Sequence, residues 1–236
     1  MHCYFVSDLH GTTDKYQKLF NSILIEKPDI VLIGGDLLPH YTIKNFVATF
    51  LKPELEKLKQ KLKDKFPQIL IIPGNNDPKF EEAQLINLEK EKLWMYLHFR
   101  KIEINKYKFF GYAYSPPSPF LLKDWEKYDV TRNTGIGCIS PEHGIRTIEL
   151  PDTEKKYSTI KNDLETFVAN EKSTNTIFLF HAPPYKTNLD RAALDGKKID
   201  NIELDVHVGS KAIRNFIESF QPYLTLHGHI HESSRL

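Results

Sequence analysis

Seven side chains of the types that bind divalent metals fall in five separate stretches: Asp8 with His10, Asp36, Asn75, His181, and His229 with His231. Carboxylate and amide oxygens with imidazole nitrogens, and no thiolate, suit Mn²⁺, Fe, Zn²⁺, Ni²⁺ or Co²⁺ rather than a structural cysteine-zinc site. Of these, Mn²⁺ is the first expectation. The set is too large for one ion. Divided between two ions, with one carboxylate bridging, it leaves each an open position for water and a substrate oxygen. Two cations about 3.5–4 Å apart acidify a bridging water to hydroxide and neutralise phosphoryl oxygens, which supports in-line displacement at phosphorus.

Each stretch has an ordinary explanation when taken alone. Asp8-Leu9-His10 fits a helix cap and a surface group, Gly34-Gly35-Asp36 a turn, and Gly74-Asn75-Asn76-Asp77-Pro78 a string of turn formers. What those explanations do not supply is the shared location. Each of five short apolar runs, Cys3 to Val6, Ile30 to Ile33, Ile69 to Ile72, Ile177 to Phe180 and Leu224 to Leu226, is followed within three residues by one of these groups. Runs of this length and β-branched or aromatic content read as buried strands, and open α/β sheets bind ligands at the carboxyl ends of their strands. Five stretches therefore point at one sheet edge. His227, His229 and His231 alternate, so His229 and His231 are expected to share a strand face if the strand continues, with His227 in a supporting or core role.

The intervening segments carry helical spacing: Tyr16, Leu19, Phe20 and Ile23; Ile160, Leu164, Phe167 and Val168; Ile213, Phe216, Ile217 and Phe220. Residues 41–66 also read as helix, kinked or restarted at Pro53. Pro28 closes the first helix, and Ser210 is placed to cap the last. From Met95 to Tyr114 the pattern turns hairpin-like about Asn105-Lys106, so antiparallel strands are expected to begin there. Residues 115–157, with Pro116, Pro117, Pro119, Pro141 and Pro151, show no sustained period and read as a long irregular excursion. The polar loop 182–207 offers Tyr185, Arg191 and His207 for substrate contact. His2, His40, His98 and His143 lack a partner pattern and are read as structural. Lys57, Lys59, Lys61, Lys63 and Lys65 spread around a helix and read as a solvated face.

Thirty-two Lys and Arg against 31 Asp and Glu leave a net charge of +1, so no global field favours nucleic acid or an anionic membrane. Cys3 and Cys138 are too few for a disulfide framework and read as reduced and structural, Cys3 as a buried thiol. No signal peptide and no apolar stretch of membrane-spanning length is seen, so a cytoplasmic location is expected. The chain of 236 residues suits one domain over 1–236, and homo-oligomerisation is left open.

In order, Asp8-Leu9-His10, Gly35-Asp36, Gly74-Asn75-Asn76-Asp77, His181 and Gly228-His229-Ile230-His231 resemble the motifs of the calcineurin-like metallophosphoesterase superfamily. The resemblance implies an α/β fold, a two-sheet α/β/β/α sandwich. It implies that Asp8, His10 and His231 bind one ion, that Asn75, His181 and His229 bind the other, and that Asp36 bridges them. The implied activity is hydrolysis of a phosphodiester or small phosphorylated metabolite by a metal-bridging hydroxide. A catalytically weak scaffold or binding module of the same fold is the alternative. Asn76, Asp77 and His207 are the candidate catalytic residues, and Asn76 is also a candidate for binding the phosphate. The sequence departs from the family in two places. Asn76 replaces the usual histidine, which can protonate the leaving alkoxide; asparagine cannot, so slow turnover of poor leaving groups is expected unless a residue such as His207 takes over. The chain also stops five residues after His231, where the family adds strands, so the final C-terminal strands and part of the second sheet are expected to be missing.

Overall fold

The computed structural model describes residues 1–39 and 45–233. It alternates strands with helices: β1 (Cys3–Val6), α1 (Thr13–Glu26), β2 (Ile30–Gly34), α2 (Lys52–Leu62), β3 (Gln68–Ile72), α3 (Glu82–Lys90) and β4 (Met95–Tyr96). These four strands form one sheet in the order β1-β2-β3-β4, all parallel. The chain continues through β5 (Lys101–Ile104), β6 (Tyr107–Tyr112), α4 (Asp152–Tyr157), α5 (Ile160–Phe167), β7 (Thr176–Phe180), β8 (Lys198–Ile199), β9 (Ile202–Glu203), α6 (Lys211–Phe220) and β10 (Leu224–His227). A second sheet runs β10-β7-β6-β5. Only its β5–β6 hairpin is antiparallel, and β8 and β9 make a separate two-stranded ribbon.

The period-two alternation of β2 and β3 divides the core. Val31, Ile33, Ile69 and Ile71 face the helical side with Tyr16, Leu19, Phe20, Ile23, Leu55 and Leu85. Ile30, Leu32, Leu70 and Ile72 face the second sheet, where they pack with Phe109, Phe110, Phe178 and Phe180, and with Ile160, Leu164, Ile213 and Phe216 of α5 and α6. Helix, sheet, sheet and helix therefore stack as layers, which is the expected sandwich. Leu70 is fully enclosed between the sheets. Leu70→Ala should cost about 2–5 kcal/mol, read as a lower urea midpoint at unchanged slope; an unshifted midpoint would contradict this packing.

Pro53 does what its missing N–H dictates. A π-helical turn covers Val47–Leu51, and Lys52 donates to the Val47 carbonyl before α2 proceeds with Pro53 in its first turn. Residues 41–44 of that expected helix, and the nearby His40, lie outside the described residues. Ser210 caps α6 by accepting from Ile213 N–H at 3.0 Å.

Three expectations are corrected. Cys3 is an exposed free thiol, because β1 is the outer strand of its sheet. Met95–Tyr96 pairs parallel to β3, so the antiparallel hairpin occupies only Lys101 to Tyr112. Its turn needs a left-handed residue, which Asn105 supplies with φ of 56°. The excursion is irregular only up to α4, and Asp124 and the buried pair Lys123–Glu126 anchor it. No helix among the described residues is long and apolar enough to cross a membrane.

His98 is buried beside this hairpin, and its Nδ1 accepts the Ala113 N–H at 3.0 Å. An imidazolium has no acceptor. Burial first, and then the charges of Lys79 and Lys127, hold its pKa well below the ordinary value. The folded state therefore resists protonation while the unfolded chain accepts it. The stability from neutral His98 is complete above about pH 6.5 and falls below it by about 1.4 kcal/mol per pH unit until the folded group itself titrates. Glutamine keeps an acceptor but does not titrate. Urea midpoints compared at neutral and mildly acid pH should therefore drop less in His98→Gln than in the parent, and equal drops would refute the assignment.

Candidate metal centre

The candidate ligands sit just beyond the carboxyl ends of β1, β2, β3, β7 and β10. The chain turns sharply at four of them: Asp8, His10, Asp36 and His229 have φ of 58°, 48°, 52° and 76°. Left-handed backbone at non-glycine residues costs about 1–3 kcal/mol each and persists only where the surroundings impose it. Here the surroundings are a mesh of bonds between loops. Asp8 N–H donates to Gly35 O (3.0 Å), His10 N–H to Asp36 O (2.8 Å), and Gly11 N–H to Leu37 O (2.9 Å), joining the loops after β1 and β2. The two sheets are joined in turn. His229 N–H donates to both Asp8 carboxylate oxygens at 3.1 and 3.0 Å, and His181 Nδ1 donates to Gly34 O at 2.8 Å.

The last of these bonds sets the chemistry of His181. With Nδ1–H given to a carbonyl, the neutral ring turns the Nε2 lone pair toward Asn75 Oδ1, 2.9 Å away in a buried site. Asp36 Oδ1 lies 3.5 Å from the same nitrogen, and Asp36 Oδ2 lies 3.6 Å from His10 Nε2. The Asp36 carboxylate thus stands between the two histidines. On its far side, His10 and His231 bring their Nε2 atoms within 3.0 Å of each other, with Asp8 Oδ1 3.6 Å from His231 Nε2. Two groups have ligand atoms close enough to grip one cation each: Asp8, His10 and His231, and Asp8, Asp36 and His181. The His229 ring lies 5.0 Å from that of His181, centroid to centroid. His229 and His231 do not share a strand face, since β10 ends at His227 and the chain turns at His229.

Electrostatics fit the same assignment. Burial would raise the Asp36 pKa, yet His181, His10 and two hydrogen bonds from Asn76 hold it below the ordinary range. His181 shows the reverse. Burial opposes its charge, but Asp36, Asp8 and the Gly34 carbonyl raise its pKa, so the pocket draws positive charge inward. Burial, with His181 beside it, pushes His229 down to about 4 and keeps that ring neutral, as a metal ligand must be. Two carboxylates, four imidazoles and an amide oxygen converging in a negative, partly enclosed site suit divalent cations of borderline hardness. Gly74 makes the convergence possible. A methyl group there would overlap the Asp36 carboxylate and stand 2.6 Å from His181 Cε1.

The remaining sequence candidates are placed less directly. Asn76 is half-buried at the centre, its N–H and Nδ2 donating to Asp36 Oδ1 and Oδ2 at 2.9 and 2.7 Å. Asp77 is buried beneath the loops and accepts from the N–H groups of Leu37 (3.1 Å), Leu38 (2.8 Å) and Gly74 (2.8 Å). Its oxygens hold backbone. In loop 182–207, Tyr185 donates to Asp205 at 2.6 Å, Arg191 pairs with Asp195, and His207 Nδ1 lies 2.8 Å from Asp190 Oδ1. His227 donates to Ala182 O and accepts from Thr225 Oγ1, both at 2.9 Å, and stacks on Phe180 in a supporting place. Two residues were missed. Asp190 is fully buried and orients His207. Asp124 accepts the Lys79 and Thr147 N–H groups, at 2.7 and 2.9 Å, tying the excursion to the loop after β3. Asp124 has no local signal, because its partners are distant in sequence; Asp190 closes a local capping box with Thr187, but nothing local ties it to His207.

Comparison with known proteins bears on the fold and the family. An uncharacterized protein of Methanocaldococcus jannaschii is 28% identical over 232 residues, covering 97% of this chain and 79% of that protein. One solved structure aligns with a TM-score of 0.58 at 16% identity, covering 97% of this chain and 83% of its own. The crystal structure of TT1561 of Thermus thermophilus aligns with a TM-score of 0.50 at 16% identity, over 96% and 80% of the two chains. These structures share the fold. The sequence profile described as calcineurin-like phosphoesterase matches residues 1–233, taking in every candidate ligand, and the chain belongs to that metal-dependent family.

Proposed function

We propose that this protein is a two-metal phosphoesterase that hydrolyses a phosphodiester or small phosphorylated metabolite. Asp8, His10 and His231 would hold one ion, Asn75, His181 and His229 the other, and Asp36 would serve both. The observation that carries this reading is the facing of His181 Nε2 and Asn75 Oδ1 at 2.9 Å with Nδ1 already donated to Gly34. With the ring neutral, two lone pairs face each other in a buried site, and a cation between them would stabilise both, as the proton that Asp36 and Asp8 draw there against burial otherwise does. Bound divalent ions, of which Mn²⁺ is the first expectation, would acidify water and offset charge on the phosphoryl oxygens.

The residues of the chain do the rest. Asn76 supplies an amide that can turn from Asp36 to a phosphoryl oxygen, and Asp77 positions the loops carrying Asp36 and Asn75. Tyr185, Arg191 and His207 stand on the loop after His181, where the bulk of the substrate would lie. The balanced charge supports a small substrate over nucleic acid, and a cytoplasmic setting belongs to this reading. The test is hydrolysis of bis-(p-nitrophenyl) phosphate with added Mn²⁺ or Ni²⁺, alongside metal analysis of the purified chain. Turnover that tracks bound metal is expected. A chain that binds no metal and turns over nothing would favour the second reading, a scaffold of the same fold, for which Asn76 is the supporting observation.

A further inference from the structure

Loss of the leaving alcohol from a phosphate ester is accelerated by a proton donor, and the central Asn76 cannot be one. The imidazoles at the centre, His10, His181, His229 and His231, are occupied as candidate ligands. Of the others among the described residues, His98 and His227 are buried and held neutral, His2 is exposed at the far end of β1, and His143 bonds Ser140 within the excursion. His207 differs from all of these. Its Nδ1 donates to Asp190 Oδ1 at 2.8 Å, and Asp190 is fully buried, fixed by N–H groups of Lys186 (2.9 Å), Thr187 (2.9 Å) and Gly209 (3.1 Å). A carboxylate locked from behind, with an imidazole locked to it, leaves Nε2 as the working end of a ring that is 25% exposed.

This dyad is tied to the metal centre on two sides. His207 pairs with Arg191 in an antiparallel bridge, and the Arg191 carbonyl accepts from Ser233, at the end of the 3₁₀ turn that starts with His231. On the other side, Ser210 N–H donates to Pro183 O at 2.9 Å, two residues after His181. We propose that His207, oriented by Asp190, is the general acid that protonates the leaving group, in place of the residue that Asn76 occupies. The inference rests on the phosphoesterase reading above. In the step, water oxygen bonds to phosphorus as the bond from phosphorus to the ester oxygen breaks. His207 Nε2 gives its proton to the departing oxygen, the attacking water releases one to solvent, and His207 regains one from solvent.

The experiment is a series of methyl phosphodiesters whose second group runs from p-nitrophenyl through phenyl to alkyl, with the metal-loaded full chain. The alkyl ester should lose ~10²–10⁴-fold in kcat/KM in His207→Gln, while the p-nitrophenyl ester, whose leaving group needs no proton, should change little. Asp190→Asn should show the same trend more weakly, and added imidazole should restore alkyl-ester activity in His207→Ala. A loss equal across the series, no loss at all, or the same selective loss in His40→Gln instead would overturn the proposal. Absence of metal-dependent turnover of the p-nitrophenyl ester in the parent protein would instead sink the phosphoesterase reading itself.

Discussion

Asp36→Asn protein, purified and loaded in parallel with the parent, is expected to hold fewer metal ions and to lose nearly all hydrolysis of an activated aryl phosphodiester. Among the described residues Asp36 is the one carboxylate within 3.6 Å of a histidine on both sides of the centre: 3.5 Å from His181 Nε2 and 3.6 Å from His10 Nε2. The substitution leaves shape and volume almost unchanged. It removes a negative charge from a buried pocket whose pull on protons is visible in the raised pKa of His181. Losing a group that merely orients a ligand costs roughly 10–100-fold in metal affinity, so losing a shared ligand should cost more, and a fall in turnover beyond about 10³-fold is expected. Metal analysis and kinetics together check it. A variant with a full complement of metal and parent-like turnover would show that Asp36 is not a shared ligand.

The second large effect is on stability. Asp77→Ala removes the acceptor for three buried N–H groups at once, those of Leu37, Leu38 and Gly74. Each orphaned donor costs about 1–3 kcal/mol, a combined loss that rivals the stability of an ordinary domain. Burial, and the charge of Asp36 beside it, push the Asp77 pKa up to about 7. Asp77→Asn keeps one oxygen acceptor and should recover part of the loss. Urea unfolding of the three proteins measures the order expected: parent, then Asn, then Ala. If the alanine variant matched the parent in midpoint while losing turnover, Asp77 would be a catalytic residue rather than one that positions loops.

These two aspartates show where residue patterns were sufficient and where they were not. Asp36 follows a four-residue apolar run and two glycines, and any reading of strand ends finds it. Asp77 lies in an equally suggestive motif, and the motif alone makes it look catalytic. Only the fold shows both of its oxygens taken by backbone from a loop 39 to 40 residues earlier. Strands β1 to β3, helices α1, α2, α5 and α6, and most of the irregular excursion were legible because each leaves a local period or its absence, whereas α3 and α4 were not read. The parallel pairing of Met95–Tyr96 was not, because two residues are too few for a period to register.

Residue types and their spacing after apolar runs determined, without coordinates, that seven candidate metal ligands gather at one end of an α/β core. Each strand delivers its ligand through local geometry: a buried run ends, and the next polar group emerges at the sheet edge. The fold alone decided which partner each ligand faces. His10 meets His231 across 221 residues of chain, His181 bonds Gly34 across 147, and Asp190 bonds His207 across 17. Contacts of that kind arise where two sheets stack and their loops interlock, and such stacking leaves no mark on the neighbouring residues of either partner.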